Sequence, residues 1–466
     1  MTKPSYISTR GKAPELGFDD VLLAGLADDG GLYVPKTLPV IDANRIRAFA
    51  GMSYIEITKD VIGRFVDLDA DKLSDLIDAS YKKFHHSDIA PLVQLEGQQW
   101  VMEQFHGPTL AFKDFALQFL GHIFDSVLEA QNRHITIVGA TSGDTGSAAI
   151  EGCRGRDNMD IFILHPYNRV SEVQRRQMTT VTDKNVHNIA VEGSFDDCQD
   201  LVKAMFGDAD FRKDINMSAV NSINWARIMA QIVYYFYASA KLAADYGTVS
   251  FSVPTGNFGN IYAGYLAKKM GAPIDHLIVA TNRNDILYRF MKTGEMKIEG
   301  VTPSLSPSMD IQISSNFERL LFDLYDGDAG KVRAAMADFR KDRSFKVTDE
   351  GFDKLKPVFD AYRCDDTQTE ATINTVFKDH DYLLDPHSAA GVYAMQHFLQ
   401  EHPDYGGAVV SLATAHPAKF PDAVEKAVGF RPELPDWLSD LYQATERYDR
   451  LPNDLNVIKE HIRNLT

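Results

Sequence analysis

Short, largely apolar runs rich in β-branched residues alternate with longer stretches in which apolar residues recur every three or four positions. The short runs are Ile135–Val138, Ile161–Leu164, Val249–Val253, His276–Ala280 and Val409–Leu412. Continuous apolar runs, unlike alternating ones, belong to strands covered on both faces, so from about Pro91 to Gly429 the pattern predicts a mostly parallel sheet flanked by helices, an α/β fold. Before that region, Asp28-Asp29-Gly30-Gly31 is a loop or hairpin signal leading into Leu32–Pro35, and helical periodicity follows from about Ile41 to Phe84. Residues 1–88 therefore read as a separate N-terminal unit and 89–430 as the main α/β region. Residues 431–466, with Trp437, Leu438 and Leu441, read as a C-terminal packing arm. The charged, helical stretch 323–382 reads as a solvated insertion.

Composition narrows the class. At roughly 150 residues per domain, 466 residues give about three units. A 44% hydrophobic and 24% charged composition is that of a globular chain. The net charge of −17 argues against nucleic acid or an anionic membrane as partner, since both need a basic face. Cys153, Cys198 and Cys364 are widely spaced and odd in number, which fits a reducing cytoplasm better than a disulfide framework. No apolar stretch follows the basic residues between Met1 and Pro14, so no signal peptide is expected there. Ile228–Ala244, the most apolar helical run, is interrupted by Gln231, Ser239 and Lys241 and falls short of a membrane span.

Five segments carry candidate chemistry. In Val253–Asn260 a buried strand enters a loop with Gly256 and Gly259 and runs straight into a helix, an arrangement that converges backbone N–H groups on an anion. The loop lacks Gly-Lys-Ser/Thr and G-x-G-x-x-G, which disfavours ATP and NAD and leaves a compact phosphate ester, or an ordinary tight turn. Val138–Ala149, with Thr141, Ser142, Gly143, Asp144 and Thr145, repeats the strand–loop–helix pattern. Two such loops in one sheet suggest a ligand with two anionic groups in the crevice beyond the strand ends.

In His106–Leu120, apolar residues at 112, 115, 116, 119, 120 and 123 mark a helix with Lys113 beside its core face. Partial burial would favour the neutral amine that Schiff-base chemistry needs, though a lysine at a helix edge is commonly a surface residue. Asn221, Asn224, Arg227 and Gln231 form a polar stripe on an apolar helix, suited to a phosphate or to an inter-domain hydrogen-bond network. The fifth segment, Ser411–Pro421, places Thr414 at the end of the final strand. Thr414 could lack a role there, and Lys419 could be a surface charge.

Together with Tyr6–Gly11, Asp29–Pro35 and Ser314–Arg319, these segments in this order resemble threonine synthase, in the longer form found in many bacteria and fungi. That family belongs to the pyridoxal-phosphate (PLP) enzymes of fold type II, with two mostly parallel-sheet α/β lobes. The resemblance implies pyridoxal 5′-phosphate as cofactor and conversion of O-phospho-L-homoserine to L-threonine by loss of phosphate from Cγ and addition of water at Cβ. It implies that Lys113 holds the cofactor as a Schiff base and that Gly256, Asn257, Phe258, Gly259 and Asn260 bind its phosphate. Thr414 would face the ring nitrogen and Asp144 the 3′-oxygen. Asp144 departs from the Asn that cysteine synthase relatives carry there. Thr141, Ser142, Gly143 and Thr145 would receive the substrate carboxylate, and Ser222, Asn224 and Arg227 its phosphate. A cytoplasmic monomer or homodimer acting on a small molecule is expected. Ser315 and Glu318 have the spacing of a helix capping box, the simpler reading of that pair. The rival readings are a serine or threonine dehydratase, whose substrate carries no phosphate, and a catalytically retired homologue.

Overall fold

The computed structural model describes residues 3–218 and 221–466. Two sheets organise the chain. The larger runs from edge to edge as Phe359–Arg363, Ile274–Thr281, Val249–Pro254, Ala408–Ala413, Gln99–Glu103 and Leu92–Glu96, parallel throughout except for the last, antiparallel pair. The smaller is wholly parallel, in the order Asp449–Pro452, Val186–Glu192, Met159–Pro166, Ile135–Ala140 and Met217–Ser218. All five apolar runs read from the sequence lie in these strands. Every residue of Val249–Pro254 and Ala408–Ala413 is buried, as strands covered on both faces must be.

Two expectations change, and the C-terminal arm gains detail. The N-terminal unit has its own small antiparallel sheet, Tyr6–Ser8 with Tyr33–Pro35, but no separate core. Tyr54 stacks edge-on with Tyr81, Phe115 and Tyr237 at 5.4, 5.6 and 5.5 Å, so its apolar face fuses with the main core. The charged stretch 323–382 is not wholly an insertion, because Phe359–Arg363 pairs with Ile274–Thr281 as the edge of the larger sheet. Its charges sit on the solvent side of elements whose other side is packed, which composition alone does not reveal. The C-terminal arm supplies the edge strand Asp449–Pro452 and a helix, Leu455–Leu465, whose Ile458 and Ile462 are buried. Among the described residues no helix is long and apolar enough to cross a membrane.

One helix contact sets the position of the site. The helices Lys113–Ala130 and Asp144–Cys153 meet where a Cβ on Gly121 would lie 1.9 Å from the Gly152 carbonyl oxygen. A Cβ on Gly152 would lie 2.4 Å from the Leu117 carbonyl oxygen. Only glycine permits this backbone approach. Each glycine lies eight residues beyond the first residue of its helix, so the crossing brings Lys113 level with Asp144. Gly121→Ala should therefore cost about 1–3 kcal/mol by overpacking. The same change at Gly207, where a Cβ meets nothing within 4 Å, should stay within about 0.5 kcal/mol. Denaturant midpoints of the two variants check the difference, and equal midpoints would refute the contact's importance.

Candidate active site

Lys113 is the first residue of its helix, and its side chain is buried against Phe112, whose ring centroid lies 5.4 Å from Nζ. Nζ is 3.2 Å from Asp144 Oδ2. Burial holds the Lys113 amine below the ordinary lysine range. Asp144 opposes that shift, while the charges of Lys419 and Arg227 reinforce it. Desolvation thus makes the Lys113 proton easier to lose, the direction Schiff-base chemistry needs.

Asp144 opens the second helix and is 5% exposed. Its Oδ1 takes Lys419 Nζ at 2.9 Å and Gln174 Nε2 at 2.8 Å, while Oδ2 takes Ser308 Oγ at 3.3 Å besides Lys113. Burial by itself would raise this carboxyl, but Lys113, Lys419 and His387 outweigh it and hold Asp144 well below the usual carboxylate range. Gly143 precedes it at φ 143°, a conformation that L side chains rarely adopt, and a Cβ there would sit 2.4 Å from Gln174 Cδ. Glycine is what lets Gln174 reach the carboxylate. Thr141 Oγ1 accepts from the Gly143 and Gly146 N–H groups at 3.0 and 2.9 Å, so its hydroxyl braces the loop instead of facing the cleft. Among the described residues the N–H groups of Ser142, Asp144 and Thr145 have no protein acceptor. Ser142 is exposed and Thr145 half-buried.

The second loop is an anion cradle. Among the described residues none of the N–H groups of Gly256, Asn257, Phe258, Gly259 and Asn260 finds a protein acceptor, and the helix Gly259–Lys269 begins there. Phe258 adopts φ 63°, and its buried ring packs on Phe317 at 5.2 Å, which holds a backbone unusual for a bulky residue. The Phe258 ring is taken up by that packing. Asn260 Oδ1 accepts from Tyr234 and Tyr235 at 2.5 and 2.9 Å, while its buried Nδ2 finds no partner among the described residues. The rest of the loop is tied to Ser314–Asn316: Ser314 Oγ donates to the Gly256 carbonyl at 2.6 Å, Ser315 Oγ to Asn257 Oδ1 at 2.9 Å, and Asn316 N to the Asn257 carbonyl at 3.0 Å.

This overturns the capping-box reading of Ser315 and Glu318. Asn316 is the N-cap residue of the helix Phe317–Leu324, without a side-chain cap, and Glu318 instead accepts from Thr9 at 2.6 Å and Arg10 at 2.9 Å. Partners three hundred residues away in sequence outcompeted the local bond.

Thr414 is buried at the mouth of its strand. Its N–H donates to Ser388 Oγ at 3.0 Å and its carbonyl accepts from Phe112 at 2.8 Å. Among the described residues its hydroxyl has no protein partner. Arg227 is 4% exposed, and its Nε and one terminal nitrogen find no partner among the described residues. Burial pushes its guanidinium down to about 10. Ser222 is half-buried, its carbonyl accepting from Asn316 at 3.1 Å. Asn224 is committed structurally: Oδ1 caps the helix through Ala226 N at 3.0 Å and Nδ2 donates to the Leu22 carbonyl at 2.9 Å. The polar stripe thus divides into Asn221, which accepts from Ile223 N at 3.2 Å, the capping Asn224, an Arg227 unpaired among the described residues, and a Gln231 that bonds the Arg227 carbonyl at 2.7 Å.

Lys419, Gln174, Ser308 and His387, the last paired with Asp385 at 2.8 Å, surround Asp144 without having stood out as site residues in the sequence. Lys419 lies in the same segment as Thr414, a proximity that could have raised its rank. Gln174 and Ser308 carry no local signal at all.

The chain matches three family descriptions in succession: "Threonine synthase N terminus" over residues 5–81, "Pyridoxal-phosphate dependent enzyme" over 86–339 and "Threonine synthase, C-terminal" over 388–462. The threonine synthase of Pseudomonas aeruginosa is 54% identical over 462 residues, covering 98% of this chain and 97% of its own. The PLP-bound threonine synthase of Brucella melitensis superposes with a TM-score of 0.96 at 51% identity over 99% of each chain. That of Escherichia coli superposes at 0.82 and 29%, over 99% of this chain and 100% of its own. The chain belongs to the threonine synthase family of pyridoxal-phosphate-dependent enzymes.

Proposed function

We propose that this chain converts O-phospho-L-homoserine and water to L-threonine and inorganic phosphate, with pyridoxal 5′-phosphate held at Lys113. The residues fit that cofactor. A largely buried amine with a lowered affinity for its proton, and, among the described residues, a five-residue cradle of unpaired N–H groups and an unpaired hydroxyl at Thr414 match its aldehyde, its phosphate and its ring nitrogen. When bound, the cofactor supplies an electron sink for the charge that develops at the substrate α-carbon.

The remaining work falls to side chains and backbone. The Ser142, Asp144 and Thr145 N–H groups, at a helix N-terminus, are suited to hold the substrate carboxylate. Arg227, with Ser222 beside it, pairs with the substrate phosphate and neutralises it as the Cγ–O bond breaks. Lys113 Nζ is the base for the protons at Cα, Cβ and Cγ, and Asp144 Oδ2 stabilises it whenever it carries one. Thr414 gives the ring nitrogen a neutral partner, not a carboxylate.

The observation that carries the choice of substrate is Arg227. A buried guanidinium with no counter-charge among the described residues costs stability unless an anion arrives. A dehydratase acting on free serine or threonine would have no use for it.

Two outcomes follow. Borohydride reduction of the cofactor-loaded protein should leave the pyridoxyl group on Lys113 by peptide mapping, and Lys113→Ala should bind the cofactor without covalent attachment. Label on Lys268, Lys269 or Lys419 would overturn the assignment. Arg227→Met, which keeps the packing and removes the charge, should leave thermal stability unchanged or raised, since it deletes an unpaired buried ion. It should weaken phosphohomoserine binding about ten- to a hundredfold, the loss of a charge-assisted contact worth roughly 1.5–3 kcal/mol. Cofactor binding should not change. A destabilised variant with intact substrate affinity would make Arg227 a structural residue.

A further inference from the structure

Lys419 is wholly buried, in the turn that follows the strand Ala408–Ala413 of the larger sheet. Its ammonium donates to the Thr109 carbonyl at 2.6 Å and pairs with Asp144 Oδ1 at 2.9 Å. Thr109 is fixed in turn by Asp114, which accepts from its N–H at 2.8 Å and its hydroxyl at 2.9 Å. Asp144 is therefore one carboxylate between two buried amines, Lys419 on Oδ1 and Lys113 on Oδ2.

We propose that Lys419 is a positioning residue of the reaction: it is the standing counter-ion of Asp144, so that Lys113 can lose its proton without leaving a buried carboxylate unpaired. The proposal rests on the assignment of Lys113 as the reacting amine. Without Lys419, Lys113 would be the lysine left to compensate Asp144. A buried carboxylate with a single cationic neighbour holds the proton on that neighbour, because separating the charge costs several kcal/mol in a low-dielectric site. A protonated amine neither attacks an aldehyde nor removes a proton from carbon. With Lys419 in place, Lys419 and Asp144 form a neutral pair whatever the state of Lys113. The charges agree in direction: Lys419 lowers the proton affinity of both Lys113 and Asp144.

The other charged and titratable groups are on separate elements. His387, from the helix Pro386–Glu401, faces Asp144, and Arg227 acts on Lys113. Asp114 and His416 lie within reach of the Lys419 charge. Burial raises the former to about 6 and drives the latter down to about 4, so His416 is neutral at physiological pH. None of these groups bonds Asp144 Oδ1, which Lys419 shares only with the uncharged Gln174 among the described residues.

The test uses the cofactor-free protein and the rate at which Lys113 reacts with pyridoxal 5′-phosphate between pH 6 and 10, each product mapped after borohydride reduction. In Lys419→Met the apparent pKa of Lys113 should rise by about one unit, the size of effect a nearby buried charge produces, which slows the reaction about tenfold at pH 7. Lys419→Arg should restore the profile. In the loaded enzyme Lys419→Met should lower kcat and leave KM for phosphohomoserine unchanged. An unmoved pH profile overturns the proposal, and so does a raised KM with an unmoved profile, which would make Lys419 a ligand of the substrate. Lys419→Gln keeps a donor for Thr109 without the charge and carries the same test if the Met variant does not fold. Label found on a lysine other than Lys113 in the wild type would instead sink the site assignment itself.

Discussion

One negative charge, on Asp144, sits between two lysine amines, Lys113 and Lys419, and much of the surrounding architecture serves to keep it there. A carboxylate taken out of water needs both charge compensation and hydrogen bonds to every oxygen. Lys419 and Gln174 satisfy Oδ1, Lys113 and Ser308 satisfy Oδ2, and these four side chains come from four different elements. The glycine pair Gly121 and Gly152 lets two helices approach until Lys113 and Asp144 are level, and Gly143 lets Gln174 in. Ser308 and Lys419 arrive from segments attached to the larger sheet, whereas Asp144 follows a strand of the smaller, so the charge cluster also ties the two sheets together.

A second hub holds the anion-binding side of the site. Ser314 to Arg319 contacts the cradle at Gly256 and Asn257, the Ser222–Ile223 segment and the N-terminal unit at once. Asn316 bonds the carbonyls of Ser222 and Asn257, each at 3.1 Å, and Arg319 bonds those of Tyr33 and Ile223 at 3.1 and 2.6 Å. Glu318 pairs with Arg10. The N-terminal unit is thereby tied to the segment that precedes Arg227, which gives it a part in the site although it supplies none of the proposed ligands. Arg319 is as buried as Arg227, but its donors are met by carbonyls, whereas among the described residues Arg227 keeps two nitrogens unpaired. The contrast separates a structural arginine from one that awaits an anion.

The sequence by itself determined the strand-and-helix alternation, both strand–loop–helix turns and the helix that carries Lys113, because these are local consequences of apolar periodicity and of glycine at a turn. It also carried the Lys113 segment, the Gly256–Asn260 loop and Thr414 as recognisable pieces. Tertiary structure decided what the local pattern leaves open. Whether Lys419 is a surface charge or a fully buried counter-ion depends on Asp144, whose position follows from a helix crossing far from Lys419 in the chain. Whether the Asn224 amide is free for a ligand or held by the Leu22 carbonyl, and whether Glu318 closes a capping box or grips Arg10, depends on partners roughly two hundred and three hundred residues away. Periodicity reports which face of an element is buried; which buried polar groups meet is set by how the elements pack, and that pairing is where the charge at this site is fixed.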